Sequence, residues 1–308
     1  MAMKLLLTGS SSLVGSHFVE KFGRKYEISA IGKRNLFQDK GPLASFSAVD
    51  FTDGEALDKA VEESDARIVV NYAARTDVDG CELERGNIGG SVYSVNTTAA
   101  KRIAECCQRT GKRMYQISTD MVFDGTSGPY GEKDAPGPAT KPIGWYAYTK
   151  YLAEQEVEKA CKEHCILRIA YPYRANFAPK LDFARSILDQ HRRGKLHPMF
   201  TDQLFTPTLV DDASTALDLL ISKRVEGVVH VASKNVTTPY EFATKLLSAF
   251  FSYSQPLQKG SVLEFNSSPG RAPRPVRGGL RTDRISALGL VPRTTDEGIA
   301  EILRQSRS

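Results

Sequence analysis

An α/β fold built on a doubly wound parallel sheet is expected from three features of this 308-residue chain. Short apolar runs alternate with stretches of helical spacing through the first 170 residues. The connections between those runs are long enough for helical crossovers, which parallel strands require. A glycine-bearing turn closes the first run, at Thr8-Gly9. Right-handed crossovers then place a ligand at the C-terminal ends of the strands.

Lys4 to Leu7 is the first strand, and Leu13 to Phe22 the helix that follows it. Tyr26 to Ile31 and Ala44 to Val49 are the second and third strands, and Arg67 to Tyr72 a buried one. Ser91 to Gln108 reads as a single helix, Lys112 to Ser118 as a strand. Tyr146 to Lys162 is a helix rich in Ala, Glu and Lys, and Cys165 to Ala170 a strand. Beyond this point Pro172, Pro179, Pro198 and Pro207 interrupt the rhythm. Helical patterns recur at Phe183 to Arg193, Asp211 to Ser222 and Tyr240 to Phe251, with a strand at Gly227 to Ala232. Residues 266–281, rich in Pro, Gly, Ser and Arg, suggest a binding loop, ordered or mobile. The expected division is a domain over 1–170 and a smaller C-terminal lobe over 171–308, partly interleaved with it.

Composition narrows the classes. Apolar residues make up 41% and charged residues 25%, which is globular and not disordered. The net charge of +5 is too mild to call for nucleic acid and suits an anionic small molecule. It is also concentrated. Arg271, Arg274, Arg277, Arg281, Arg284 and Arg293 face one acid, Asp283, so this stretch alone carries +5. Guanidinium forks suit a diphosphate. No apolar run reaches the ~18 residues of a membrane span. The opening MAMKLLLTGSSS lacks the long apolar stretch of a signal peptide, so a cytoplasmic protein is expected. Cys81, Cys106, Cys107, Cys161 and Cys165 are odd in number and form no CxxC pair, which reads as reduced thiols. The Cys161-His164-Cys165 spacing fits residues at a helix end better than a metal site.

Three constellations carry chemistry. Gly9 permits a tight turn after the first strand, and Gly15 lets the next helix pack closely, so its N-terminus is offered to a pyrophosphate. The spacing is not the full GxGxxG, and Ser12 stands where a related pattern has glycine. After the second strand come Lys33 and Arg34 with no acid, which favours a 2′-phosphate and hence NADP. Adjacent basic residues also occur as plain solvated surface. Tyr146 and Lys150 stand one helical turn apart. A free phenol ionises near pH 10, and a neighbouring ammonium readies it for proton transfer. Ser118 and Thr119 end the preceding strand, where a hydroxyl reaches a substrate carbonyl.

With those residues in view, the chain resembles the extended short-chain dehydrogenase/reductases, and within them the dTDP-4-dehydrorhamnose reductase family. The resemblance rests on TGSSSLVG (8–15), NYAARTDVDGCE (71–82), VNTTAA (95–100), ISTDMVFDGTSGPYGEKD (117–134) and YAYTK (146–150). It continues through LRIAYPY (167–173), DQLFTPTLVDD (202–212) and RPVRGGLRTDRISALGL (274–290). It implies a Rossmann-type sheet with a substrate-binding C-terminal lobe. Thr119, Tyr146 and Lys150 would be catalytic, and Gly9, Ser12, Leu13, Val14 and Gly15 would hold the pyrophosphate. Asp50 and Phe51 would border the adenine, Ala73, Ala74 and Thr76 would line the cofactor cleft, and Asn96 would order the site behind the triad. Asp120, Val122, Phe123 and Arg274 would meet the substrate.

The implied activity is NADPH-dependent reduction of the 4-keto group of a nucleotide-linked 6-deoxy sugar. The implied partner is that nucleotide-diphosphate sugar, with a homodimer admitted and neither nucleic acid nor membrane involved. Mg is compatible with such a substrate, but nothing in the sequence supports it. Two alternatives stay open: an NADP-binding regulatory subunit without turnover, and a nucleotide-sugar epimerase, against which Lys33-Arg34 counts. Two departures from the family stand out. Ser12 replaces a glycine, and Ala170-Tyr171-Pro172-Tyr173 replaces a segment that often holds Trp. The single Trp, Trp145, precedes Tyr146 and either stacks on a ligand or packs at the helix start.

Overall fold

The computed structural model describes residues 2–37, 41–139, 141 and 143–307. In chain order the first elements are β1 (Met3–Thr8), α1 (Leu13–Phe22), β2 (Tyr26–Gly32), β3 (Ser45–Ala48), α2 (Gly54–Glu62), β4 (Ile68–Asn71) and α3 (Val78–Glu82). Next come α4 (Ser91–Tyr93), a π turn (Ser94–Thr98), α5 (Ala99–Thr110), β5 (Arg113–Thr119), α6 (Trp145–Ala160) and β6 (His164–Ile169). The remainder is α7 (Phe183–Arg192), β7 (Met199–Phe200), α8 (Val210–Ser222), β8 (Gly227–Val231), α9 (Pro239–Phe251), β9 (Lys259–Gly260), α10 (Val262–Ser267), α11 (Asp283–Ala287) and α12 (Thr295–Arg307).

Seven strands form one sheet in the order β3-β2-β1-β4-β5-β6-β8. The pairings β3–β2, β2–β1, β1–β4 and β4–β5 are parallel, as the alternation of strand and helix predicts. From β1 the chain steps outward to β2 and β3, then returns to β4 on the other side. The C-terminal ends of β1 and β4 are therefore the switch point at which ligands bind in such sheets.

Two compact units emerge. The first is Met1–Thr119, Gly144–Leu167 and Leu220–Val228; the second is Asp120–Ile143, Arg168–Leu219 and Val229–Ser308. The core of the first joins Leu6, Val69 and Met114 of the sheet to Ala99, Ala100, Ile103, Ala104, Cys106 and Cys107 of α5. The helical positions recur at intervals of three and four, which puts them on one stripe. The core of the second gathers Tyr173, Ile187, Phe205, Leu209, Phe242, Leu246, Leu247, Ile299 and Ile302. Its aromatic rings meet edge to face, Tyr173 on Phe242 at 5.4 Å and Phe183 on Phe205 at 5.6 Å. All five cysteines are free and buried. Burial pushes Cys81 up to about 11 and Cys106 to about 12, which leaves these thiols inert.

Several elements differ from the sequence reading, which expects neither the short β7 and β9 nor α3, α10, α11 and α12. Ser91 to Gln108 is not one helix, because a π turn at Ser94–Thr98 interrupts it. Helix α2 was not anticipated, although Asp53 caps it by accepting from Ala56 N at 3.1 Å and Leu57 and Val61 lie on its buried face.

Candidate active site

The site begins with a polar row across the sheet. Thr8 and Asn71, at the C-terminal ends of β1 and β4, are in register with Gln116, midway along β5. The Thr8 hydroxyl donates to Asn71 Oδ1, and Asn71 Nδ2 donates to Gln116 Oε1 at 2.8 Å. Gln116 in turn donates to Ile117 O at 2.8 Å. All three side chains are buried, and each polar group has found a partner, as burial demands.

Above this row Gly9 adopts φ +66°, a conformation that favours glycine. A Cβ there would lie 2.8 Å from Ala73 N, so the β1 turn and the β4 end come closer than any side chain allows. A Cβ on Gly15 would lie 2.7 Å from Gly9 O. Ser12 is the N-cap of α1, and its hydroxyl accepts from Gly15 N at 3.0 Å. Leu13 opens the helix, and Val14 is buried beside Gly15. This is a cradle of backbone at a helix N-terminus, suited to an anion. Ala73 is buried, Ala74 is half-buried and Thr76 is exposed.

The next strands supply a second feature. Lys33 follows β2 and Asp50 follows β3, and these strands are neighbours. Lys33 Nζ lies 3.1 Å from Asp50 Oδ2. Asp50 Oδ1 accepts from Thr52 N at 3.0 Å and Thr52 Oγ1 at 2.9 Å. The Thr52 backbone, and then Lys33, hold the Asp50 carboxyl down at about 2. Arg34 is exposed and, among the described residues, has no ion-pair partner. Phe51 turns into the core of the first unit.

Thr119 ends β5, and Tyr146 and Lys150 share the first turns of α6; all three are buried. Lys150 Nζ donates to Ile117 O at 2.7 Å, which anchors the helix to the strand two residues before Thr119. Burial pulls the Lys150 ammonium down to about 8, while Glu154, one turn further on, pushes it back upward. Trp145 N donates to Glu82 Oε2 at 2.8 Å, a side-chain cap for a helix whose own N-cap is Gly144. The Trp145 ring packs, stacked on Tyr93 at 6.3 Å and Tyr148 at 5.8 Å.

Asn96 sits at the centre of the π turn. Its Oδ1 accepts from Arg75 N at 2.7 Å, and its Nδ2 donates to Arg75 O at 3.2 Å and Thr149 Oγ1 at 3.0 Å. Thr149 Oγ1 donates to Tyr146 O at 2.9 Å, and Thr97 Oγ1 donates to Thr149 O at 2.9 Å. The extra residue of the π turn thus aims one amide at both the β4 loop and the helix of the tyrosine. Gln116, Thr149, Glu154 and Glu82 were not singled out from sequence. The i, i+4 step from Lys150 to Glu154 was a readable signal; Glu82, 63 residues before Trp145, carried none.

In the second unit, Asp120 to Val122 form a 3₁₀ turn. Asp120, Val122 and Phe123 are all buried. Phe123 stacks on Tyr130 at 4.1 Å, under the buried Arg168 guanidinium at 4.9 Å. The arginine-rich loop runs along this segment. Arg277 N donates to Gly125 O, Gly128 N to Arg277 O, Tyr130 N to Gly279 O and Arg281 N to Tyr130 O, at 2.7 to 2.9 Å. Gly125 sits at φ +70°, and a Cβ there would meet Pro275 Cα at 2.5 Å. Arg274 and Arg271 both lie over the Phe265 ring, at 5.4 and 5.3 Å from its centre. Asn266 clasps the Arg274 backbone from both sides at 2.8 Å. Tyr171, at φ +42°, accepts from Gln203 at 3.1 Å, and Gln203 also donates to Pro275 O. The local charge is less bare than the sequence count implies: Arg293 is paired with Asp212, and Arg281 lies 3.6 Å from Asp134.

Residues 3–308 match the family described as the RmlD substrate binding domain. The chain belongs to this family. Among RmlD-family relatives, dTDP-4-dehydrorhamnose reductase of Mycobacterium tuberculosis is 31% identical over 94% of this chain and 88% of its own. A protein of Haloferax volcanii named "Probable low-salt glycan biosynthesis reductase" is 30% identical over 97% of both chains. The fold matches the crystal structure of dTDP-4-dehydrorhamnose reductase from Bacillus anthracis in complex with NADP, with TM-score 0.82 and 24% identity over 99% of this chain and 100% of that one. Among the described residues of this RmlD-family chain, no helix is long and apolar enough to cross a membrane. Nor do any three His, Cys, Asp or Glu among them gather to hold a metal ion.

Proposed function

We propose that this RmlD-family chain is an NADPH-dependent reductase of the 4-keto group of a nucleotide-linked 6-deoxy sugar. The observation that carries this reading is the buried Lys150 ammonium, one helical turn after the buried Tyr146 and anchored on Ile117 O, two residues before the buried Thr119. The relatives at 30% identity and above are named as reductases, which supports it.

The dinucleotide fits the first unit. Gly9 and Gly15 let the β1 turn, the β4 end and α1 pack closer than a side chain would allow, which supports a pyrophosphate at the α1 N-terminus, and Lys33 and Arg34 suit a 2′-phosphate. Bound there, NADPH supplies the hydride that reduces C4. The chain's own residues handle the oxygen. The Thr119 hydroxyl donates a hydrogen bond to the keto oxygen, and Tyr146 delivers the proton. Lys150 offsets the negative charge that grows on the phenol oxygen as that proton leaves. Asn96 and Thr149 hold the backbone of Tyr146, so its reach is set before substrate arrives. In the second unit we assign Asp120, Val122 and Phe123, all buried, and Arg274 to the substrate.

Tyr146→Phe removes only the proton donor. Turnover of a nucleotide-4-keto-6-deoxy sugar should fall by about 10²–10⁴ while NADPH affinity, read by fluorescence titration, changes little. Turnover near the wild-type level would overturn the assignment. Tight NADPH binding with no keto-sugar turnover by the wild type would identify a regulatory subunit instead.

A further inference from the structure

We propose that Asp50 tunes the choice between NADPH and NADH by holding Lys33 as an internal competitor for the 2′-phosphate. The inference rests on the cofactor assignment above and extends it to a residue with no role in hydride transfer.

The geometry supplies the argument. The β2–β3 register sets Gly32 beside Ala48, which brings Lys33, one residue past β2, near Asp50, two residues past β3. Their charged ends meet at 3.1 Å. Asp50 is not free to turn away, since Thr52 holds its other oxygen through both the amide and the hydroxyl. The carboxylate is thereby kept ionised and aimed at Lys33. Both side chains of the pair are exposed, 64% and 48%, so the pair is weak and exchangeable, not a permanent lock.

A 2′-phosphate approaching β2 meets Arg34, unpaired among the described residues, and a Lys33 already engaged. To bind Lys33 it must break that contact and sit near a carboxylate of its own sign. NADH, which has a hydroxyl in place of the phosphate, suffers neither effect. Arg34 is therefore the main 2′-phosphate ligand, and Asp50 narrows the gap between the two cofactors.

Asp50→Asn tests this cleanly. The amide oxygen still accepts from Thr52, so the turn survives while the charge goes. Fluorescence titration of the full chain with NADPH and NADH should show the NADPH-to-NADH affinity ratio rising about five-fold, the scale of a broken surface ion pair. Competition by 2′,5′-ADP against 5′-AMP should shift in the same sense. In the wild-type background Arg34→Gln should weaken NADPH more than Lys33→Gln does; in the Asp50→Asn background the two losses should converge. A ratio that is unchanged or falls, or losses that differ equally in both backgrounds, would refute the competition while leaving the cofactor site intact. Failure of the wild type to bind either dinucleotide would overturn this inference together with the cofactor assignment.

Discussion

Replacing Lys150 with Met should stabilise the empty protein at neutral pH while destroying its activity. Lys150 is only 3% exposed, and burial lowers its ionisation from 10.5 to about 8. At about 1.4 kcal/mol per pH decade, that drop is a penalty of about 3 kcal/mol on the charged form. Methionine has nearly the same length and no charge to bury. What it loses is the bond to Ile117 O, of order 1.5 kcal/mol for a charged donor. Ile117 O is not orphaned, because Gln116 still donates to it. The net gain is therefore about 1–2 kcal/mol at pH 7, or a rise of a few °C in Tm.

The pH dependence separates this from ordinary packing. The folded-state value lies below the unfolded one, so between about pH 8 and 10.5 the unfolded chain binds more protons. Wild-type stability therefore gains from this group as pH rises through that window, and loses it as pH falls through 8. The Met variant has no such group. Its advantage at pH 7 should vanish by pH 10, where the two melting curves meet or cross. The assay is thermal unfolding of both proteins without cofactor at the two pH values, alongside turnover, which should drop by about 10²–10⁴. A variant less stable than wild type by the same margin at both pH values would show that burial does not penalise the ammonium.

Three further substitutions probe the supports of the site. Gly9→Ala forces a side chain into φ +66° and against Ala73 N, so it should cost about 1–3 kcal/mol in urea unfolding and abolish NADPH titration; wild-type affinity would refute the cradle. Asn96→Ala leaves the Arg75 amide without its acceptor, which should cost about 1–3 kcal/mol, and it should lower kcat more than it raises the cofactor Kd; an unchanged kcat would dissociate the π turn from Tyr146. Gly125→Ala meets Pro275 at 2.5 Å and strains φ +70°, so it should displace the arginine-rich loop and raise KM for the nucleotide sugar. An unaltered KM would separate that loop from substrate binding.

The local parts of this protein were readable in its sequence because they depend on near neighbours. The alternation of apolar strands with helical spacing marks βαβ units, whose handedness and crossover length leave few sheet orders open. Tyr146 and Lys150 could be paired because helical geometry alone puts i and i+4 on one face. The glycines of the first turn were legible for the same reason. Helix α2 was missed despite its Asp53 cap, because its nine residues carry only two buried apolar positions. The π turn was invisible, since the apolar spacing of Ser91 to Gln108 fits a continuous helix and only the tertiary demand on Asn96 inserts the extra residue.

The sequence by itself therefore determined the class of sheet, the phosphate turn and the tyrosine–lysine pair. The tertiary structure decided which charges meet. The end of β2 offers no acid in its own segment, yet strand order brings Asp50 from β3 onto Lys33. The same is true of Glu82 at the start of α6 and of the arginine-rich loop bound along Gly125 to Tyr130. Electrostatic contacts act over a few ångströms of space and not along the chain, so only the folded backbone can say which ones exist.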